Sequence, residues 1–168
     1  AAHYPNENIG TPAFHALIDD MRETLHAYGG IGLAAPQIDV GYRLAVIEIE
    51  NTATRYGEIE QSAFTVYINP TITVIEPQET GYWEGCLSVP GLMGFVERPQ
   101  HVQVDYTDAQ GQPAVFIAQG FLATVFQHEF DHLDGLLYID RIKDSSLLSF
   151  EEEYLQFIDP ASSEADPQ

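Results

Sequence analysis

Residues 120–135, GFLATVFQHEFDHLDG, decide the fold. Gly120 and Gly135 bracket a run whose apolar residues recur three and four apart, which is the period of an amphipathic helix. Phe121, Val125, His128 and His132 fall on one stripe of that helix, and Leu122, Phe126, Glu129 and Leu133 on the stripe beside it. Polar groups therefore stand on faces that ought to be packed. A lone histidine in such a place is most often a satisfied core residue. Two imidazoles and an unpaired carboxylate would cost several kcal/mol to bury unless something binds them. The four-residue spacing turns His128 and His132 to the same side, about one turn apart, so both reach a single cation. A helix of this kind belongs at the centre of a domain, with a sheet packed around it.

Working outward, Thr11-Pro12 gives an N-cap followed by proline in the first turn, and Phe14, Leu17, Ile18, Met21, Leu25 and Tyr28 keep helical spacing until Gly29-Gly30. The polar face of this first helix carries His15, Arg22 and His26, which read as solvated residues without a role. Leu44 to Ile49, Phe64 to Ile68, Thr71 to Ile75, Val102 to Tyr106 and Ala114 to Ala118 are short β-branched or alternating runs, separated by Gly, Pro, Asn and Asp, and predict strands. Asp108-Ala109-Gln110-Gly111 is a hairpin turn signal, so much of the sheet is expected to be antiparallel. Ser149 followed by Glu152 has the pattern of a capping box opening a short third helix, which Pro160 closes. The expectation is an α+β fold: one domain over residues 1–160, and a disordered acidic tail over residues 161–168.

Composition narrows the function classes. A chain of 168 residues with 45% hydrophobic content is one ordinary domain with a real core. Six Lys and Arg against 26 Asp and Glu give a formal charge of -20, which repels phosphate backbones and anionic lipid, so direct nucleic-acid binding and membrane attachment are not expected. No stretch approaches the roughly 18–20 apolar residues of a membrane span. A cytoplasmic location is expected, or an organellar one if a targeting segment has been removed. The single cysteine, Cys86, excludes an internal disulfide and leaves a buried thiol, a metal ligand or a nucleophile.

Two imidazoles fall one short of the three protein ligands of a catalytic metal site with an open position. Cys86 is a candidate for the third, because Gly85 lets the chain turn tightly and present the sulfur. Glu152 is the other, since in zinc proteases of the thermolysin type a glutamate about twenty residues downstream joins two helical histidines. Against Glu152, the run Glu151-Glu152-Glu153 reads more simply as a solvated first turn. Gly30-Ile31-Gly32-Leu33-Ala34-Ala35-Pro36-Gln37 begins like a nucleotide loop, but it follows a helix, precedes a strand and lacks a lysine. Its glycines fit close approach of backbone to a substrate, with Gln37 offering a neutral amide donor from a stiff turn.

Gly30 to Gln37, Glu84-Gly85-Cys86-Leu87-Ser88 and Gln127-His128-Glu129-Phe130-Asp131-His132 together resemble the three signature motifs of peptide deformylases, in the same order and with similar spacing. The similarity runs from about Thr11 to Arg141. It implies one divalent metal held by Cys86, His128 and His132, commonly ferrous iron in the cell, with nickel, cobalt or zinc as substitutes, and it favours Cys86 over Glu152. It further implies Glu129 as the base, with Gln37 and the backbone N–H of Leu87 holding the oxyanion. Backbone around Ile31 and Gly32 would pair with the peptide strand-fashion, and a pocket near Val125 would receive the first side chain, usually methionine. The implied activity removes the formyl group from formyl-methionyl peptides or nascent chains, releasing formate. The alternatives are a deformylase-like protein with weak or no activity, and a zinc endopeptidase using Glu152. Two departures stand out: Met93 occupies a place where many relatives have arginine, and the usual N-terminal strand segment is missing before Thr11. The stretch from Asp144 to Asp166 contains no Lys or Arg, so any approach to a ribosome would use another surface.

Overall fold

The computed structural model describes residues 1–50, 53–54, 57–58 and 61–159; the tail expected over 161–168 lies outside them. Helix α1 (Pro12–Tyr28) starts where predicted: Thr11 Oγ1 accepts a hydrogen bond from Phe14 N, and Gly29 ends the helix in the left-handed conformation. Such a C-cap favours glycine, which lacks a Cβ. Strands β1 (Gly32–Ala34) and β2 (Leu44–Ile49) follow, then a two-stranded piece formed by β3 (Ala53–Thr54) and β4 (Gly57–Glu58). The long strands β5 (Ser62–Cys86) and β6 (Val89–Thr107) come next, then β7 (Pro113–Gln119), helix α2 (Phe121–Leu133), β8 (Leu148–Phe150) and the short α3 (Glu151–Glu153), which runs into a π-helical turn, Tyr154–Ile158. The main sheet has the order β1-β2-β5-β6-β7, with β8 added to β6, and all its pairs are antiparallel. The α+β class is as expected. No helix among the described residues is long and apolar enough to cross a membrane.

Strand β2 shows why the domain has two layers of helix. It is buried on both faces, so its sequence is a continuous apolar run broken only by Glu48. Ala45, Ile47 and Ile49 face α2 in a core with Tyr67, Val102, Val104, Phe126 and Phe130. Leu44 and Val46 point the other way, against Phe14, Met21 and Leu25 of α1. Burying each of these larger side chains stabilises the fold by roughly 1.5–3 kcal/mol. Helix α2 thus lies at the centre of the domain, between the sheet and the hairpin arm of β5 and β6.

Several expectations need correcting. Phe64–Ile68 and Thr71–Ile75 are not separate strands. They belong to β5, which continues through register shifts near Asn69 and Glu76 to Cys86. Asn69, at φ 51°, turns its side chain toward Tyr4, accepting from Tyr4 N at 2.7 Å and donating to Tyr4 O at 3.0 Å. That clasp secures the segment before Thr11, which forms a parallel bridge between Ala2 and Tyr42 rather than a longer strand. Ser149 does not cap the third helix either. Leu148–Phe150 pairs with Leu92–Gly94 of β6, which holds Ser149 extended, and Phe150 becomes the residue before α3. The hairpin at Asp108 is as predicted: Asp108 Oδ1 accepts from the backbone of Gln110 and Gln112.

Candidate metal centre and peptide cleft

Cys86 closes β5 beside the two-residue hairpin turn Leu87-Ser88, opposite the first residue of β6. Helix α2 lies against this turn, and one ligand atom from each of Cys86, His128 and His132 falls within 4.8 Å of the other two. Cys86 Sγ is 3.4 Å from His132 Nε2. His128 donates from Nδ1 to Glu84 Oε2 at 2.8 Å, which fixes the ring and leaves Nε2 for a ligand. Burial would raise the Cys86 thiol, but hydrogen bonds to His128 and His132 outweigh it and bring it down to about 5, so the sulfur is a thiolate at neutral pH. Burial would lower His128, yet Cys86 and Glu84 hold it up at about 10. Thiolate and carboxylate draw positive charge to this point, whether a proton or a metal ion carries it.

Glu129 completes the group. It is only 6% exposed, and its Oε2 is buried with no hydrogen-bond partner. Burial raises its carboxyl above the ordinary range, with the two imidazoles pulling the other way. The side chain lies flat on β1: a Cβ on Gly32 would come within 2.5 Å of Glu129 Cδ and Oε1. Gly32 is therefore needed for close approach. A deprotonated thiol, two imidazoles with one ring already oriented, and an unsatisfied buried carboxylate make a donor set that fits one divalent ion.

The chain matches the family described as polypeptide deformylase over residues 2–147. It belongs to that family. Peptide deformylase 2 of Pseudomonas syringae pv. tomato is 44% identical over 160 residues, covering 95% of this chain and 89% of the relative. The peptide deformylase of Leptospira biflexa is 43% identical over 145 residues, covering 86% and 81%. Among solved structures, the Met-Ala-Ser bound class I type b peptide deformylase from Acinetobacter baumannii superposes with a TM-score of 0.77 at 34% identity, over 84% of this chain and 89% of that one. This is a metal-dependent family, and the Cys86, His128 and His132 group is this chain's candidate metal site.

The cleft in front of that group has a volume of about 410 Å³ and is lined by every residue expected at the site except His132. Gln37 sits in the tight turn Ala35–Ile38. Its Oε1 accepts from Ala34 N at 2.9 Å, so Nε2 must face the cleft, where it donates to Ser88 Oγ at 3.1 Å and lies 3.8 Å from Cys86 Sγ. Leu87 stands at the hairpin tip, half exposed, while Val125 is buried in the cleft wall. Gly32 opens β1, the terminal strand of the sheet; the carbonyl of Ile31 is taken by Glu48 N at 3.0 Å, so peptide pairing there would use the other edge. Glu152 is exposed and belongs to no ligand group among the described residues. Met93, noted above as a departure from the resemblance, is buried with its sulfur packed over Gly85.

An ionic chain behind the histidines went unread. Arg98 donates to Glu84 from Nε at 2.7 Å and from Nη2 at 3.1 Å, and from Nη1 to Asp131 Oδ2 at 2.8 Å. Arg141 donates to the same aspartate at 2.6 and 3.1 Å. Burial would raise Glu84 and Asp131, but hydrogen bonds from His128 and Arg98 hold Glu84, and those from Arg141 and Arg98 hold Asp131, below the usual carboxylate range. The chain of charges ends on His128 Nδ1 through Glu84. A signal was present: Val96, Arg98, Val102 and Val104 share the inward phase of β6, and an arginine in an apolar phase calls for buried carboxylates. His26 and Arg22 are not idle either. Both bind Glu48, His26 through a short contact and Arg22 Nη2 at 3.3 Å.

Proposed function

We propose that the protein removes the formyl group from formyl-methionyl peptides of newly made chains, releasing formate, with Cys86, His128 and His132 holding the metal. The observation that carries this reading is the buried, unpartnered Oε2 of Glu129 beside the ligand group, at the back of a cleft large enough for a peptide end. A divalent ion in that place supplies Lewis acidity, which acidifies a water and polarises a carbonyl. Glu129 takes the proton of the water that adds to the formyl carbon and returns it to the nitrogen as the C–N bond breaks. Gln37 Nε2 and Leu87 N–H donate to the oxygen as negative charge grows on it, and each such donor contributes on the order of 3 kcal/mol to the barrier reduction. Gln37 is preset for this by its bond from Ala34 N, so little reorganisation is required. Ile31 and Gly32 present the free edge of β1 to an extended peptide, and Val125 helps wall the pocket for the first side chain.

One thiolate and two imidazoles suit ferrous iron, nickel, cobalt or zinc, and we assign ferrous iron as the ion in the cell. The catalytic domain spans residues 1–160, and the work is done in the cytoplasm, or in an organelle that starts translation with formylmethionine. Any transient approach to a ribosome would use a surface other than the acidic C-terminal segment. The Met-Ala-Ser complex of the Acinetobacter relative supports the peptide assignment. The test is formate release from formyl-Met-Ala-Ser by anaerobically purified protein of measured metal content. Metal-dependent release is expected. A metal-replete protein that cleaves internal peptide bonds instead would support the endopeptidase reading, and one that binds the peptide without turnover the inactive reading.

A further inference from the structure

The two donors proposed for the oxyanion come from distant parts of the chain. Gln37 belongs to the tight turn Ala35–Ile38, and Leu87 to the two-residue hairpin turn that follows Cys86. Ser88, the other residue of that hairpin turn, joins them: its Oγ lies 3.1 Å from Gln37 Nε2, across 51 residues of sequence. Ser88 is exposed and is not among the residues that line the cleft. The direction of its bond is fixed. Gln37 Oε1 accepts from Ala34 N at 2.9 Å, and a backbone N–H only donates, so the oxygen and nitrogen of the amide cannot be exchanged. Nε2 carries two protons and no acceptor position, so Ser88 Oγ accepts one of them. The second N–H has the Cys86 sulfur as its partner, 3.8 Å away on the cleft side. Held by Ala34 alone, the amide could pivot about a single bond. Ser88 fixes its plane at a second corner and ties it to the turn that carries Leu87.

We infer that Ser88 is a positioning residue: by accepting one N–H of Gln37, its hydroxyl holds the other N–H toward the oxyanion, in register with the N–H of Leu87. This rests on the function proposed above. A donor that has to turn toward the charge during the reaction loses part of its stabilisation to that turn, whereas a donor already in place does not. Binding of the peptide before reaction does not draw on this tie, because the chain pairs with the edge of β1. The effect of Ser88 therefore falls on the chemical step rather than on substrate binding.

The test measures kcat, KM and metal content per chain, with formyl-Met-Ala-Ser as substrate, for the metal-loaded protein, Ser88→Ala, Ser88→Thr, Gln37→Ala and the double variant Gln37→Ala with Ser88→Ala. Ser88→Ala should lower kcat by about threefold to tenfold, the range of one neutral hydrogen bond, with KM and metal content unchanged. Ser88→Thr keeps the hydroxyl and should restore most of kcat. Once Gln37→Ala has removed the amide, adding Ser88→Ala should have no further effect. An undiminished kcat in Ser88→Ala, or a loss that Ser88→Thr does not restore, would overturn the inference while leaving deformylation intact. So would a fall in metal content, or a loss from Ser88→Ala that is as large without the Gln37 amide as with it. No formate from the unchanged protein would overturn the proposed function and the inference with it.

Discussion

The two long helices lean on opposite faces of one sheet, and each brings a histidine to a buried glutamate. On α1, His26 meets Glu48, with Glu50 close by; on α2, His128 meets Glu84, with Cys86 and His132 close by. Both sets place three candidate ligand atoms within 4.8 Å of one another, so a count of ligands does not tell them apart. The difference lies in what remains unsatisfied. Glu48 has Arg22 on one oxygen and His26 on the other, and both partners are half exposed. Its charge is balanced and water can do the rest. On α2, Glu84 is consumed by Arg98 and by His128 Nδ1, which frees His128 Nε2, the Cys86 thiolate and Glu129 Oε2 to act together in a cleft. A metal centre is recognised by demand left over after the protein has paired its own groups.

Substitutions around the two groups should separate accordingly. Glu129→Gln removes only the proton transfer, so formate release should fall by about a hundredfold to ten-thousandfold while metal content stays at one per chain; steady-state turnover and elemental analysis check both. Gly32→Ala puts a Cβ where Glu129 lies, and a carboxylate displaced by about 1 Å should lower kcat/KM by about a hundredfold with metal retained. Arg98→Met leaves Glu84 without its main partner and frees His128 to turn, so metal affinity measured by chelator competition should drop by about tenfold to a hundredfold. Excess metal should then restore much of the turnover. Glu48→Gln on the α1 side should cost about 1–2 kcal/mol of stability in denaturant unfolding and leave metal content and formate release unchanged. A loss of metal in that variant would break the contrast between the helices.

How far the sequence alone reached follows the same division. Helix α1, helix α2, β2 and the Asp108 hairpin were legible because each rests on local signals: caps, period and turn residues. The long arm of β5 and β6 was not, since Glu76 to Gln100 is rich in Glu, Pro, Gly and Gln and its pairing is set by the partner strand rather than by alternation. Ser149 misled because its local capping pattern competes with pairing to β6, and the tertiary contact prevails. At the site, His128, Glu129 and His132 carry their chemistry in their spacing, whereas Cys86 was favoured over Glu152 only by the family resemblance. Arg98, Glu84 and Asp131 come from three elements, so only the inward phase of Arg98 hinted at them. Arg22 and His26 looked solvated because the glutamate they bind is 22 and more residues away, in the one polar position of β2 facing α1.

The central claim is that the protein's metal is held by the α2 group and not by the α1 group. Its most direct measurement is the metal content per chain of Cys86→Ala and His26→Ala, purified in parallel under argon with added ferrous iron or nickel, alongside formate release. His26→Ala should keep one metal ion and its turnover, whereas Cys86→Ala should lose both. A Cys86→Ala protein with a full metal equivalent and undiminished formate release, or a His26→Ala protein emptied of metal, would contradict it.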